Sequence, residues 1–319
     1  MAAMYQKTPY NVRSLLSREN FVSIELLASD GLTRLTCLPE QGGLLTQLQM
    51  PDASGQSREI LYLPGDWQAQ GKICGGWPLC FPICGRLSCD GASQYRHNGR
   101  LYRLDIHGFA HAQPWQVVEQ TAQRLTIQLQ DTPETRACYP FEFCLTLTYE
   151  IAAGVLSCRQ RCENRGQGPL HYYAGLHPYF YIDPTYQKSA VQIDVPGLRR
   201  IVYNDDLTDV VGEAAAPEFP LPLSAPDVNE SLHEIDVEQP IRLLFPADFC
   251  LEMMISGPAQ RLLRYVQLYH VPEQPFFCIE PWMAPPNSLN HPERLPVLAP
   301  GEVHDMTVIM SAKSCQGIA

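Results

Sequence analysis

The stretch Phe143-Cys144-Leu145-Thr146-Leu147-Thr148-Tyr149-Glu150-Ile151 decides the fold. Phe143, Leu145, Leu147, Tyr149 and Ile151 alternate with Cys144, Thr146, Thr148 and Glu150. Successive side chains of a strand point to opposite faces, so this period of two belongs to a sheet with one buried face. The same alternation recurs at Leu125–Leu129, Val191–Val195, Phe249–Met253 and Met306–Met310, spreading strands along the chain. Helical spacing of apolar residues is scarce. Of 319 residues, 28 are proline, well above the usual share of about 5%, which disfavours long helices. Turn-forming clusters lie between the strands, among them Pro51-Asp52-Ala53-Ser54-Gly55, Asn164 to Pro169 and Ala299-Pro300-Gly301. Ala214 to Asp227, with its four prolines, reads as a long surface loop. No fixed-period repeat and no Ser/Gly-rich linker divides the chain. The expectation is an all-β protein, a β-sandwich with few short helices, formed by residues 1–319 as one domain with the ends 1–19 and 313–319 peripheral.

Composition narrows the function. Lys and Arg number 23 against 34 Asp and Glu, a net charge of -11, and the basic residues cluster no further than pairs. Such a surface repels phosphate backbones and anionic lipid heads, so neither nucleic acid nor membrane is expected as a partner. No window approaches the 18 or more apolar residues of a spanning helix, and no apolar segment follows the N-terminal Met-Ala-Ala-Met-Tyr-Gln-Lys. A cytoplasmic protein is expected. In a reducing compartment the twelve cysteines behave as small core thiols, and the spacings Cys80/Cys84 and Cys158/Cys162 lack the pattern of a structural zinc site. No metal is expected.

Four polar spots are embedded in Gly, Pro or aromatic residues. Lys72 to Arg86 is an apolar, Gly/Pro-punctuated run ending in Arg86, whose guanidinium offers a planar fork of donors; a surface arginine after a turn is the plain alternative. In Asp105-Ile106-His107-Gly108-Phe109-Ala110-His111, Gly108 permits close backbone approach beside His107. In Tyr172 to Asp183, His177 sits between apolar residues and is followed by Pro178, which restricts the backbone before it. A histidine satisfied in an aromatic core is the alternative there. In Phe276-Phe277-Cys278-Ile279-Glu280-Pro281-Trp282, Glu280 shares a strand face with Phe276 and Cys278. Desolvation there raises a carboxyl toward the range of a general base. Glu280, His177, Arg86 and His107 thus form a proton-transfer set without nucleophile, phosphate loop or metal cage. Trp77, Trp282 and Tyr179 can stack on the apolar face of a sugar.

These residues, taken in order, resemble a known family. Gly85-Arg86, His107-Gly108-Phe109 with Trp115 downstream, Asn164 ahead of Gly175-Leu176-His177-Pro178-Tyr179-Phe180, Cys278-Ile279-Glu280-Pro281-Trp282 and Leu298-Ala299-Pro300-Gly301-Glu302 look like the aldose 1-epimerase (galactose mutarotase) superfamily over roughly residues 20 to 312. The resemblance implies a large antiparallel β-sandwich of the galactose mutarotase type. It also implies an isomerase that interconverts the α and β anomers of an aldose. Glu280 would take the anomeric hydroxyl proton, His177 would protonate the ring oxygen, and His107 and Arg86 would position the sugar. No cofactor is implied, and the expected assembly is a monomer or weak homodimer. The family also binds sugar hydroxyls with an aspartate, for which Asp227 is the choice here; Trp282 completes the sugar-binding set.

Lys72 to Pro82 and His107 to Trp115 look most like the hexose-6-phosphate epimerase branch. Cys74 and His111 stand where that branch carries the arginines near its phosphate. The expected substrate is therefore a free sugar. A hexose-6-phosphate 1-epimerase that recruits Lys72 or Arg103 is the alternative. From another class, so is a non-catalytic sugar-binding or regulatory protein on the same fold.

Overall fold

The stretch that opens the sequence reading forms the strand Phe143–Ala152 of a computed structural model, which describes residues 14–16, 21–67, 74–246 and 248–315. Leu145, Leu147, Tyr149 and Ile151 are buried while Glu150 is exposed, as the alternation requires. Each buried Leu contributes about 1.5–3 kcal/mol. The strand is one of nine in an antiparallel sheet. From edge to edge the order is Leu221–Pro222, Gln192–Asp194, Ile241–Phe245, Phe249–Ser256, Val303–Lys313, Val155–Asn164, Phe143–Ala152, Arg124–Gln130 and Gln116–Gln120. All five alternating segments of the sequence lie in this one sheet.

A second sheet of eight strands runs Val210–Ala215, Gly197–Tyr203, Ser231–Ile235, Tyr265–Tyr269, Phe276–Trp282, Gly175–Leu176 and Leu79–Cys80, with Tyr179–Tyr181 also paired to Phe276–Trp282. A contiguous apolar core reaching from Ile24 to Met310 fills the sandwich. Phe81, next to the second sheet, meets Phe143 of the first with ring centroids 4.9 Å apart. A five-stranded sheet made from Ser14 to Glu59 adds a third layer of strands.

The one α-helix among the described residues, Pro133–Cys138, is short and closed at its start by Thr132 and Thr135, which cap each other's backbone N–H groups at 3.2 and 2.8 Å. None of the described helices is long and apolar enough to cross a membrane. All twelve cysteines are free thiols, eight of them buried.

Two sequence expectations change. Ala214 to Asp227 is not loop throughout: Leu221–Pro222 pairs with Gln192–Asp194 at the sheet edge, and Leu223 is fully buried. Proline is tolerated there because an edge strand leaves one side of its backbone unpaired. The strand expected over Val191–Val195 is confined to Gln192–Asp194. Of the peripheral ends, residues 1–13, 17–19 and 316–319 lie outside the described residues, whereas Lys313 closes the strand Val303–Lys313 and pairs with Glu252.

Candidate active site

All seven residues of Phe276–Trp282 are buried, near the middle of the eight-stranded sheet. One face, with Phe277 and Ile279, joins the main core; Phe276 and Cys278 point the other way and pack with Tyr179, Tyr62 and Tyr269. Glu280 shares the parity of Cys278 and so belongs to this second face. Across the neighbouring strands the registers Gly175↔Trp282 and Tyr179↔Cys278 put His177 directly opposite Glu280. Cross-strand neighbours on one face meet closely, and His177 Nε2 lies 3.4 Å from Glu280 Oε2. On the other side Gln267 opposes Glu280, its side-chain oxygen accepting the Tyr203 hydroxyl at 2.7 Å.

The glycine- and proline-rich run before Arg86 is the hub that fixes both histidines. Its Pro78 carbonyl accepts the His177 N–H at 3.0 Å, and its Gly76 carbonyl accepts the Tyr179 N–H at 2.9 Å. Its Phe81 carbonyl accepts Phe109 and Ala110 N–H groups at 2.9 and 3.2 Å, and the Gly85 carbonyl accepts the His107 N–H at 2.9 Å. His177 is stacked on Tyr179 at 4.6 Å, and the His107 ring lies 5.1 Å from that of His177 and 6.1 Å from that of Trp282. The Gly85 N–H also reaches His107 Nδ1 at 3.2 Å, with Cys80 Sγ 3.3 Å from the same nitrogen. A nitrogen that accepts from a backbone N–H carries no proton, so the neutral ring has its proton on Nε2.

Electrostatics pull the facing pair apart. Glu280 is 1% exposed, and burial pushes its carboxyl well above the ordinary carboxylate value of 4.5. Negative charge on Cys80 and Glu230 adds to this, and the neighbouring Trp282 opposes it. The Trp282 Nε1–H itself is buried without a hydrogen bond of normal geometry. Burial likewise holds His177 well below 6.5, with further lowering by His107. Burial therefore favours the uncharged form of each partner, a carboxylic acid beside a neutral imidazole.

The structure brings together Glu280, His177, His107 and Trp282. Arg86 stands exposed at the edge of this group. Its guanidinium makes no hydrogen bond or ion pair among the described residues, and its charge acts on Glu230. Asp227 is placed differently: it pairs with Arg200 at 2.7 Å and its charge acts on His233. Glu230, three residues later, was not singled out by sequence. Its surface is open to solvent, yet surrounding protein raises its carboxyl, while Arg86 and His107 lower it. The available signal was a glutamate directly ahead of the uniformly buried strand Ser231–Ile235. Lys72, the alternative phosphate ligand, lies outside the described residues.

The family model of aldose 1-epimerase matches residues 28–240, more than half of the chain. The chain belongs to the aldose 1-epimerase family. Solved structures extend the likeness past Glu280. A protein of Synechocystis sp. PCC 6803 is 27% identical, with 98% of this chain and 100% of that one covered at a TM-score of 0.76. The galactose mutarotase related enzyme of Lactobacillus acidophilus is 21% identical over 91% and 97% of the two chains, at 0.77. Galactose 1-epimerase of Lactobacillus acidophilus NCFM is 14% identical over 95% and 98%, at 0.70. The last two show the fold, that of the galactose mutarotase sandwich. No curated protein matches the chain significantly in sequence. Membership in the aldose 1-epimerase family supports general epimerase function and a sugar substrate.

Proposed function

We propose that this aldose 1-epimerase family member interconverts the anomers of a neutral, unphosphorylated aldose, with Glu280 as its base and His177 as its acid. The observation that carries this reading is a buried carboxyl 3.4 Å from a buried imidazole, each pushed by burial toward its uncharged form, so that one proton can pass between them. When a sugar supplies hydroxyls to the pocket, that proton can sit on His177, leaving Glu280 ionised. Glu280 then takes the anomeric hydroxyl proton as His177 protonates the ring oxygen, the ring opens, and the aldehyde end rotates. The reverse transfers close the ring on either face. His107 donates from Nε2 and Arg86 from its guanidinium to sugar oxygens, while Glu230 accepts from sugar hydroxyls in the place sequence reading gave to Asp227. A site built only to bind has no use for a carboxyl held in so costly an environment.

Charge supports the unphosphorylated substrate. His111, where the phosphate-specific branch carries arginine, is lowered to about 4 by burial and then by His107, so it is neutral at physiological pH and supplies no cation. An ionised Glu230 would repel a phosphate dianion in addition. The test is anomer exchange, followed by NMR or polarimetry, on glucose, galactose and their 6-phosphates. Free sugars are expected to be turned over at least as well as the phosphates. A kcat/KM for glucose 6-phosphate a hundredfold above those of both free sugars would overturn the substrate assignment.

The shared proton also fixes the pH profile. Activity belongs to the singly protonated pair. On the acid side a second proton charges His177 beside a neutral Glu280, and burial pushes that step below 6.5. On the alkaline side the last proton leaves Glu280, and burial pushes that step well above 4.5. The expected kcat/KM is bell-shaped, with its acid limb below 6.5 and its alkaline limb above 4.5. An acid limb centred at or above 6.5 would take His177 out of the titrating pair.

A further inference from the structure

We propose that His177, Cys278 and Glu280 form a site for a soft divalent cation of the zinc class, and that such an ion inhibits the enzyme by occupying the catalytic pair. One ligand atom from each residue, an imidazole nitrogen, a thiol sulfur and a carboxylate oxygen, lies within 4.8 Å of the others, and all three residues are buried. These are the donors zinc prefers. Two atoms bonded to one tetrahedral zinc at about 2.1 Å stand about 3.4 Å apart, and His177 Nε2 is 3.4 Å from Glu280 Oε2. That edge of the coordination polyhedron is already formed.

The donors are also held in place. Cys278 and Glu280 point the same way from one strand, and His177 is fixed by its stack on Tyr179 and by its N–H bond to Pro78. Glu280 Oε2 is a buried polar atom without a hydrogen-bond partner among the described residues. A buried polar atom left in this state gains from any group that satisfies it. Binding displaces the thiol proton of Cys278 and the carboxyl proton of Glu280 to solvent, so the divalent ion with one thiolate, one carboxylate and one neutral imidazole has no net charge. That is the condition under which a buried cluster of ions is tolerated. The ion occupies the very atoms of Glu280 and His177 that the sugar's hydroxyl and ring oxygen must reach, so ion and sugar exclude each other.

The inhibition arm of the test rests on the proposed epimerase reading; the binding arm does not. Full-length protein is stripped with EDTA, dialysed, and titrated with Co2+ while thiolate-to-metal charge-transfer absorption is followed in the near ultraviolet. In parallel, anomerisation is assayed with added Zn2+. The stripped enzyme should retain full activity, Zn2+ should inhibit competitively with the sugar, and EDTA should reverse the inhibition. Cys278→Ser should keep basal activity, lose the absorption band and weaken both ions by at least about 100-fold, since the loss even of groups that only orient a ligand costs 10–100-fold. A wild-type protein without the band, a band that persists in Cys278→Ser, or inhibition that ignores sugar concentration would overturn the site. A protein with the band but no anomerisation would keep the metal site and sink the epimerase reading. Activity lost on stripping and regained with Zn2+ would overturn the inhibitory role.

Discussion

Glu280→Gln lowers kcat by about 100- to 10,000-fold, the usual contribution of a positioned acid or base, while the protein folds as before. The amide copies the size of a protonated carboxyl, the form that burial favours at Glu280, but it cannot take the anomeric proton. Stability moves the other way. A carboxyl whose folded-state pKa is raised stabilises the fold fully below its unfolded value and less as the pH rises toward its folded value. At neutral pH the wild type bears that cost and the amide does not. The variant should therefore unfold at an equal or higher temperature at pH 7, and its advantage should shrink as the pH falls toward 4.5. His177→Asn should lose activity on the same scale, and the double variant should be little worse than either single one, because the two groups hand over one proton as a unit. Turnover within tenfold of wild type in Glu280→Gln, or strictly multiplicative losses in the double variant, would remove the pair from the mechanism.

The second large effect concerns the hub rather than the proton. Gly108 has φ +71, and a Cβ built on it would lie 2.3 Å from the Phe81 carbonyl oxygen. That oxygen holds the Phe109 and Ala110 N–H groups, so the methyl of Gly108→Ala would wedge apart the bonds that seat His107. Gly31 is the matched control: its φ is +68, but nothing stands within 4 Å of its Cβ position. Both substitutions incur about 1–2 kcal/mol for a side chain in left-handed backbone. Only Gly108→Ala adds about 1–3 kcal/mol of overpacking. At about 2–4 °C per kcal/mol for a large domain, calorimetry should find Gly31→Ala a few degrees less stable and Gly108→Ala roughly twice as far down. Gly31→Ala should keep its activity; Gly108→Ala should lose affinity for sugar as His107 shifts. Equal melting points for the two variants would mean that the Phe81 contact yields freely.

Legibility followed solvent exposure. The strands read from alternation, such as Phe143–Ala152 and Val303–Lys313, lie in the nine-stranded sheet, where polar residues such as Glu150 reach water and mark the period. Phe276–Trp282 is buried on both faces, so its run of Phe, Cys, Ile, Pro and Trp carries no period. There only the lone charge of Glu280 stands out in the sequence. The opposition of His177 and Glu280 depends on a register between segments far apart in sequence, which no local pattern encodes. Asp227 and Glu230 look interchangeable along the chain. Arg200 takes up the first and the turn at Glu230, with φ 47, presents the second toward Arg86 and His107, a distinction made by backbone geometry.

In the proposed epimerase, the bond from the Gly85 N–H to His107 Nδ1 decides what a sugar must bring to this site. With that nitrogen committed, His107 can only offer a proton, and an ionised Glu230 can only accept one. The two residues would thus ask opposite things of the hydroxyls they meet. Replacing a hydroxyl by fluorine keeps a weak acceptor and deletes the donor, whereas a deoxy position deletes both. A series of monofluoro and deoxy sugars would therefore resolve the ring position by position. Positions where fluorine is tolerated but hydrogen is not face His107, and positions where both fail face Glu230.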